Sequence, residues 1–447
     1  MGKYFTTFNF YAKNEIDEYI RISIGKDFFN NDLKDLLSIG NVNFVLSGIN
    51  RLQSMLLCEL KLSYVQQSQR YVPVTNDFIK ILDNTPEELA REGTKLINQS
   101  IHLYNKMTEL KDPDKKGRLK EKDFVYGITY EDARSVLPLC MSTNLVVSMS
   151  ADKLIDLFKL FNTYPYVFRE IKKELMELLP GNILHKINSD VFSIVEKDYH
   201  DGDIYFENKM KNLTFENDVI MLECDNITKN IAIGALASQN TESPNDIYEL
   251  WGEESDEKSK KLISNVLGYG HMAIAEQGRT TCAMRCSLAA YHQLIRHRLQ
   301  NIRRESIRYI TTDLTRGFII PECIRNNKDF FNELVDLTTA YMDFYNKYNG
   351  TYDKEFIMQF MLNATPIKFI VSSNIRNDIT IFKDRLCFTA QDEVRDLYFK
   401  KFRILHKQYP ELVRYGLPPC VTENRCKEGK LNCGKVKTVQ NLYDVYK

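Results

Sequence analysis

Nowhere does the chain approach the roughly 18 uninterrupted apolar residues that a membrane-spanning helix needs, so no membrane segment is expected. The opening residues, MGKYFTTFNF, lack the basic stretch and long apolar run of a secretory signal. Net charge is missing as well. Its 60 lysines and arginines balance 60 aspartates and glutamates, which excludes a dedicated nucleic-acid coat, because such a protein is strongly basic. No low-complexity tract occurs. Cysteine is present at 10 positions, yet no two form a Cys-x-x-Cys pair. The three in the tail, Cys420, Cys426 and Cys433, therefore lack the usual spacing of a zinc site, and no metal is expected there. Thiols in a chain without an export signal read as reduced. These absences together describe a cytoplasmic protein with no membrane or nucleic-acid partner.

What the chain does contain is enough apolar material, 43% of 447 residues, for more than one core. It also contains an internal repeat. Residues 44–71, FVLSGINRLQSMLLCELKLSYVQQSQRY, align without gaps on 282–309, CAMRCSLAAYHQLIRHRLQNIRRESIRY, 238 positions later. Both end in Ser-x-Arg-Tyr, at Ser68–Tyr71 and Ser306–Tyr309. A second pair, 131–154 and 355–378, follows in the same order. Each member has an acidic start, a helical stretch and a β-branched run (Asn144–Met149, Phe369–Ser373), with a helix cap predicted at Ser150 or Asn374.

The polar stretch 200–215 reads as the seam, giving expected domains at 1–205 and 213–447. VIMLEC predicts a strand, and Ser243-Pro244-Asn245-Asp246 a helix start. Residues 253–261 read as a solvated helix face. KKLISNVLGYG predicts a helix stopped by Gly268 and Gly270. Long helices with few strands place the chain in the α+β class, with the helices on small mixed or antiparallel sheets.

The richest segment chemically is 291–309, YHQLIRHRLQNIRRESIRY, with five arginines against one acid, Glu305. Its first residues have helical apolar spacing. Arginine forks suit phosphate and planar, partly anionic rings. By periodicity alone the segment equally describes a solvated basic helix, or a helix that binds RNA. His297 could serve as a base or merely dilute the charge around it. Cys282 and Cys286, read as one helical turn apart, suit a core.

Arg296-His297-Arg298, then seven residues, then Ser306 resembles the signature of flavin-dependent thymidylate synthases. Flanking residues agree: His292-Gln293 before, Ile307-Arg308-Tyr309 after. Residues 270–277, GHMAIAEQ, resemble the family's His-x-Ser/Thr-Pro-x-Glu-His segment. Asn374-Ile375-Arg376 resembles its Asn-Ala-Arg flavin contact. Arg385, followed by Ala390-Gln391 and Glu393, resembles its Arg-x4-Ala-Gln-x-Glu-Ile helix, and the cysteine-bearing tail is similar to that of longer members. The first half resembles the same family through Gln66-Gln67-Ser68-Gln69-Arg70-Tyr71 and Asp132-Ala133-Arg134. There, however, Cys58-Glu59-Leu60 replaces Arg-His-Arg, and Phe161 falls where the late arginine is due. The second half has Met358 where the first keeps Arg134, and Arg304 where the family has Gln or Glu.

The resemblance implies two tandem domains of that fold, eroded in complementary places. In the family, active sites lie between subunits. One subunit holds the nucleotide with Gln…Arg-His-Arg and the late arginine, the other with the Gln-Gln-Ser-x-Arg segment and a second arginine. Here Gln293, Arg296 and Arg385 keep the first set. Gln66, Gln67, Ser68, Gln69, Arg70 and Arg134 keep the second. One composite site is therefore expected, with dUMP, methylenetetrahydrofolate and NADPH as substrates and FAD as cofactor. Arg385 would stabilise charge on the uracil. FAD would be met by His271, Ala273, Arg296, His297, Arg298, Asn374, Ile375, Arg376 and Thr380. The family's homotetramer implies a homodimer of this fused chain. Ala273, where the family has a hydroxyl, and Arg304 leave room for modification of another pyrimidine nucleotide, or for hydroxymethylation. A nucleotide- or flavin-binding pseudoenzyme is the remaining alternative.

Overall fold

A computed structural model of the chain describes residues 2–23, 30–115, 119–181, 183–184, 203–429 and 432–447. Part of the expected seam, His200–Gly202, lies outside them. By compactness the chain divides into two units. The first is Met1–His200 with Ser287–Arg296 and Ser306–Pro366; the second is Asp201–Cys286 with His297–Glu305 and Ile367–Lys447. These units do not coincide with 1–205 and 213–447, because the second sequence half is shared between them.

The repeat is nevertheless written into the secondary structure. In the first unit, strands β1 (Phe5–Tyr11), β2 (Asn41–Asn50), β3 (Ser63–Gln66) and β4 (Ser142–Ser150) form a sheet in the order β1-β2-β4-β3. In the second, β5 (Val219–Glu223), β6 (Arg279–Ser287), β7 (Asn301–Arg304) and β8 (Pro366–Asn374) form a sheet in the order β5-β6-β8-β7. The orders are the same. Strands β3 and β7 begin and end 238 positions apart, the offset of the first repeat. The predicted β-branched runs lie inside β4 and β8. Strand β4 alternates buried and more open residues, as a sheet with one covered face should, whereas β8 is buried along most of its length. β4 runs antiparallel to β2, with Val45 opposite Val146.

Each central strand runs into a short helix: Arg51–Cys58 after β2 and Leu288–Leu294 after β6. Asn50 caps the first, with Gln53 completing a reciprocal capping box. Ser287 caps the second. The second helix stops at Leu294, so the arginines of 296–308 lie in a turn, a strand and a 3-10 segment. The basic-helix reading is thereby corrected, and with it the RNA-binding helix. Asn374 caps Ile375–Arg385 as expected. Ser150 does not cap; the next helix begins at Lys153 behind Asp152. Cys282 and Cys286 are buried but lie on β6, where a spacing of four keeps them on one face of a strand. Between Arg385 and Asp392 the chain leaves the helix, so the arginine and the Ala390-Gln391 pair do not share one. Ser243 and Pro244 open a helix as predicted, and Ser255–Gly268 ends at the predicted glycine.

The first unit's core joins both sequence halves. Helix Glu87–Met107 buries Leu89, Ile97, Ile101 and Tyr104 in one cluster with Leu334, Tyr341 and Phe344 of helix Lys328–Tyr348. Ser100 and Tyr341 share a buried hydrogen bond of 2.9 Å. Gly93 lets Phe360 lie directly on the helix; a Cβ there would overlap the ring. The backbones also interlock, with Leu139 N–H donating to Met361 O at 2.9 Å and Asn363 N–H to Leu137 O at 2.9 Å. In the second unit, helix Ile227–Ala237 packs on Ser255–Gly268 and on the 3-10 segment Met272–Gln277. Among the described residues no helix is long and apolar enough to cross a membrane.

Candidate active site

Each compact unit carries its own group of functional side chains. In the first, the residues come from both sequence halves. Arg134, 2% exposed, follows the short helix Tyr130–Ala133. Its Nε donates to Glu131 O at 3.1 Å, and its guanidinium is 3.8 Å from the Glu131 carboxylate. That carboxylate also takes Arg70, whose Nη2 donates to it at 3.0 Å. Helix Leu288–Leu294 brings His292 and Gln293, both buried, and Arg296 follows its end. Arg296 Nε donates to His292 O at 3.3 Å, and Arg51 Nη2 donates to His292 Nδ1 at 3.0 Å. Arg51 is 2% exposed. Among the described residues neither Arg51 nor Arg296 has a carboxylate within ion-pair distance.

The closeness of these groups shifts their ionisation. Burial pushes the Arg134 guanidinium below its ordinary range. Glu131 counters this, while the charges of Arg70 and Arg296 add to it. Burial, then Arg134 and Arg296, push Arg51 far down. Burial, then Arg51, Arg296 and Arg134, hold His292 far below 6.5. A guanidinium does not give up its proton in a protein. The result is a buried cluster in which four arginines outnumber the two acids, Glu131 and Asp132, that act on it, an arrangement that favours an anion.

The Gln-Gln-Ser-x-Arg segment reaches it through Arg70. Gln66 is buried and donates to Ser54 Oγ at 2.6 Å. Gln67 accepts from Asn144 Nδ2 at 3.1 Å. Ser68 Oγ accepts from Arg70 N–H at 3.2 Å, closing a tight turn. Gln69 is buried with both ends of its amide unpartnered, a cost that a ligand with a donor and an acceptor would remove. Arg70, Arg134 and Arg296 are thus brought together, and Gln66 bonds to the helix that carries Arg51. Sequence reasoning missed Arg51, His292 as more than a flank, and Glu131 as the partner of both arginines. The available signal was Arg51 itself, one charge opening the run Leu52–Cys58 behind a helix cap.

The second unit holds the remaining residues. Arg385 ends helix Ile375–Arg385, and its Nε donates to His297 Nε2. His297 therefore serves here as an acceptor that aims a guanidinium. Arg376 pairs with Glu276, Asn377 Nδ2 donates to Leu299 O at 2.8 Å, and Thr380 Oγ1 donates to Arg376 O at 3.0 Å. Asn374 spends its side-chain oxygen on capping, leaving its amide N–H2 for other partners. Ile375 is buried beneath, and Gly278 lets its backbone approach Ile227 and Ile375. His271, Ala273, Arg298, Arg376 and Thr380 are exposed. Exposed polar groups around the N-terminus of an eleven-residue helix fit a phosphate-bearing cofactor such as a flavin dinucleotide. In the tail, burial pushes the Cys420 thiol up, and the nearby Cys387, Cys426 and Cys433 add to this. Among the described residues no three His, Cys, Asp or Glu side chains are arranged to hold a metal ion.

Fold and site together define a tandem-duplicated α+β protein with a buried cationic cluster drawn from both copies. The chain belongs to the thymidylate synthase complementing protein family, whose pattern matches residues 25–179 and again 224–411. A flavin-dependent thymidylate synthase of Clostridium tetani is 29% identical over 229 residues, covering 47% of this chain and 90% of the relative. One of Thermococcus onnurineus is 30% identical over 206 residues, covering 44% and 83%. Among solved structures, the UMP/dUMP methylase PolB of Streptomyces cacaoi bound with 5-Br dUMP is 15% identical, with a TM-score of 0.39, covering 44% of this chain and 93% of its own.

Proposed function

We propose that this protein converts dUMP to dTMP by flavin-dependent reductive methylation, with methylenetetrahydrofolate giving the carbon and NADPH the electrons. The site is a composite of the two sequence halves. One observation carries this reading: Arg296 of the second half lies close enough to Arg70 and Arg134 of the first for their charges to act on one another. The names of the relatives agree with it. Loss of Arg-His-Arg from the first half and of an Arg134 counterpart from the second then leaves one complete set rather than two broken ones.

In this reading Arg70, Arg134 and Arg296 hold the nucleotide phosphate, where bidentate forks are strongest. Gln66, Gln67, Ser68, Gln69 and Gln293 position the sugar and base. Arg385, aimed by His297, stabilises negative charge on the uracil. FAD, when bound, supplies the redox chemistry. His271, Ala273, Arg296, His297, Arg298, Asn374, Ile375, Arg376 and Thr380 contact it. The working protein is a homodimer, giving four family domains.

The test is tritium release from 5-tritiated dUMP in the presence of FAD, NADPH and methylenetetrahydrofolate. Folate-dependent release with dTMP as product is the expected result. Release with a hydroxymethyl product would correct the product. No release from folded, flavin-loaded protein would refute the proposal and favour a binder or another nucleotide.

A further inference from the structure

Arg51 belongs to none of the motifs that define the site, yet it lies in its cationic cluster. Its counterpart, the first residue after the Ser287 cap of the matching helix, is Leu288. The arginine therefore belongs to one copy only and is not needed to build the helix that both copies share. It is buried, its Nη2 donates to His292 Nδ1 at 3.0 Å, and its Nε has no partner. Because a guanidinium can only donate, His292 Nδ1 must accept, which leaves the proton on Nε2. That Nε2 is also buried and unpartnered. Two orphaned donors beside guanidiniums that outnumber the nearby acids are costly unless something anionic joins them.

We propose that Arg51, oriented by His292, is a further arm of the anion site: it contacts the 5′-phosphate of a bound nucleoside monophosphate and makes the site demand that dianion. The inference rests on the nucleotide-binding reading above and sharpens it. No packing reason holds an arginine at 51. The capping box of this helix does not call for an arginine at 51, and its neighbours Leu52, Met55 and Leu56 supply the apolar face. Charge has been placed where only charge in a ligand answers it.

The experiment compares dUMP with deoxyuridine, which lacks the phosphate, by calorimetric titration of FAD-loaded wild type, Arg51→Gln and Arg51→Lys. Losing one charge-assisted contact weakens binding roughly 10- to 100-fold. The expected result is a loss of that size for dUMP in Arg51→Gln, a smaller loss in Arg51→Lys, and unchanged weak binding of deoxyuridine. Ligand-free Arg51→Gln should melt no lower than wild type, because it relieves repulsion rather than removing a needed contact. Equal loss of both ligands, or undiminished dUMP binding in both variants, overturns the inference. Should Arg51→Gln fold poorly, Arg51→Lys decides alone, since it keeps the charge and loses the fork. Wild type that binds no dUMP would overturn the nucleotide reading as well, which separates the two failures.

Discussion

An arginine surrounded by protein keeps its charge, so its neighbours determine whether it stabilises the fold or serves a ligand. Arg308 shows the first case. It reaches Glu355 at 2.7 Å, and Glu355 in turn accepts from Tyr166 and Val167 N–H. Arg134, with Glu131 already shared, is the proposed example of the second. Arg134→Ala is expected to lower kcat/KM for dUMP roughly 100-fold or more while leaving the melting temperature near wild type. Wild-type turnover in that variant would remove the composite site. His292 gives a pH prediction. Burial and three arginines keep it neutral in the fold, with its pKa below the 6.5 of an unfolded chain. Below pH 6.5 the unfolded state therefore binds the extra proton. Stability falls as pH drops through that value, by up to about 1.4 kcal/mol per pH unit, and the contribution is complete above it. His292→Gln should flatten this fall in denaturant titrations; parallel curves for the two proteins would argue against a neutral His292.

At the scale of elements, the helix pair of the first unit and the buried ion pair of the second are where single changes should cost most. Gly93→Ala sets a methyl against Phe360. Overpacking costs about 1–3 kcal/mol, against a helix-propensity gain of up to about 1 kcal/mol, so net destabilisation of about 1–2 kcal/mol is expected in urea unfolding. A stabilised variant would mean that the ring moves aside freely. In the second unit Lys401 and Asp378 are both wholly buried, 2.7 Å apart, with Thr280 Oγ1 donating to Asp378 at 2.7 Å. Lys401→Met should cost about 3–5 kcal/mol by stranding the carboxylate, and Lys401→Met with Asp378→Leu should recover most of it. Failure of the second change to rescue the first would show that the pair does more than neutralise itself.

At the scale of the whole molecule, the compact units cut across the repeat. The first unit takes Ser287–Arg296 and Ser306–Pro366 from the second half. An isolated 1–205 fragment would leave Ile97, Ile101 and Tyr104 without Tyr341, Phe344 and Leu362. It is expected to lack a cooperative melting transition, and co-expression with 213–447 should restore one. A fragment that melts cooperatively alone would show the helix pair to be dispensable. The expected homodimer is tested by light scattering; a particle of 52.3 kDa would be a single chain and would contradict it.

Much of the architecture was legible in the residues because it is local. Strands β4 and β8, the cap at Asn374 and the helix start at Ser243 follow from β-branched runs and side-chain hydrogen bonds within three positions. The repeat and the family motifs were also legible, since both depend on order along the chain. What tertiary structure alone decided is of another kind. Where helix Leu288–Leu294 stops, that Cys282 and Cys286 lie on a strand, and that Arg385 leans on His297 depend on packing and not on periodicity. So does the meeting of Arg51 with His292 across 241 positions. A charge placed in an apolar run cannot announce its partner, because the energy of burying it is set by whatever the rest of the chain brings within a few ångströms.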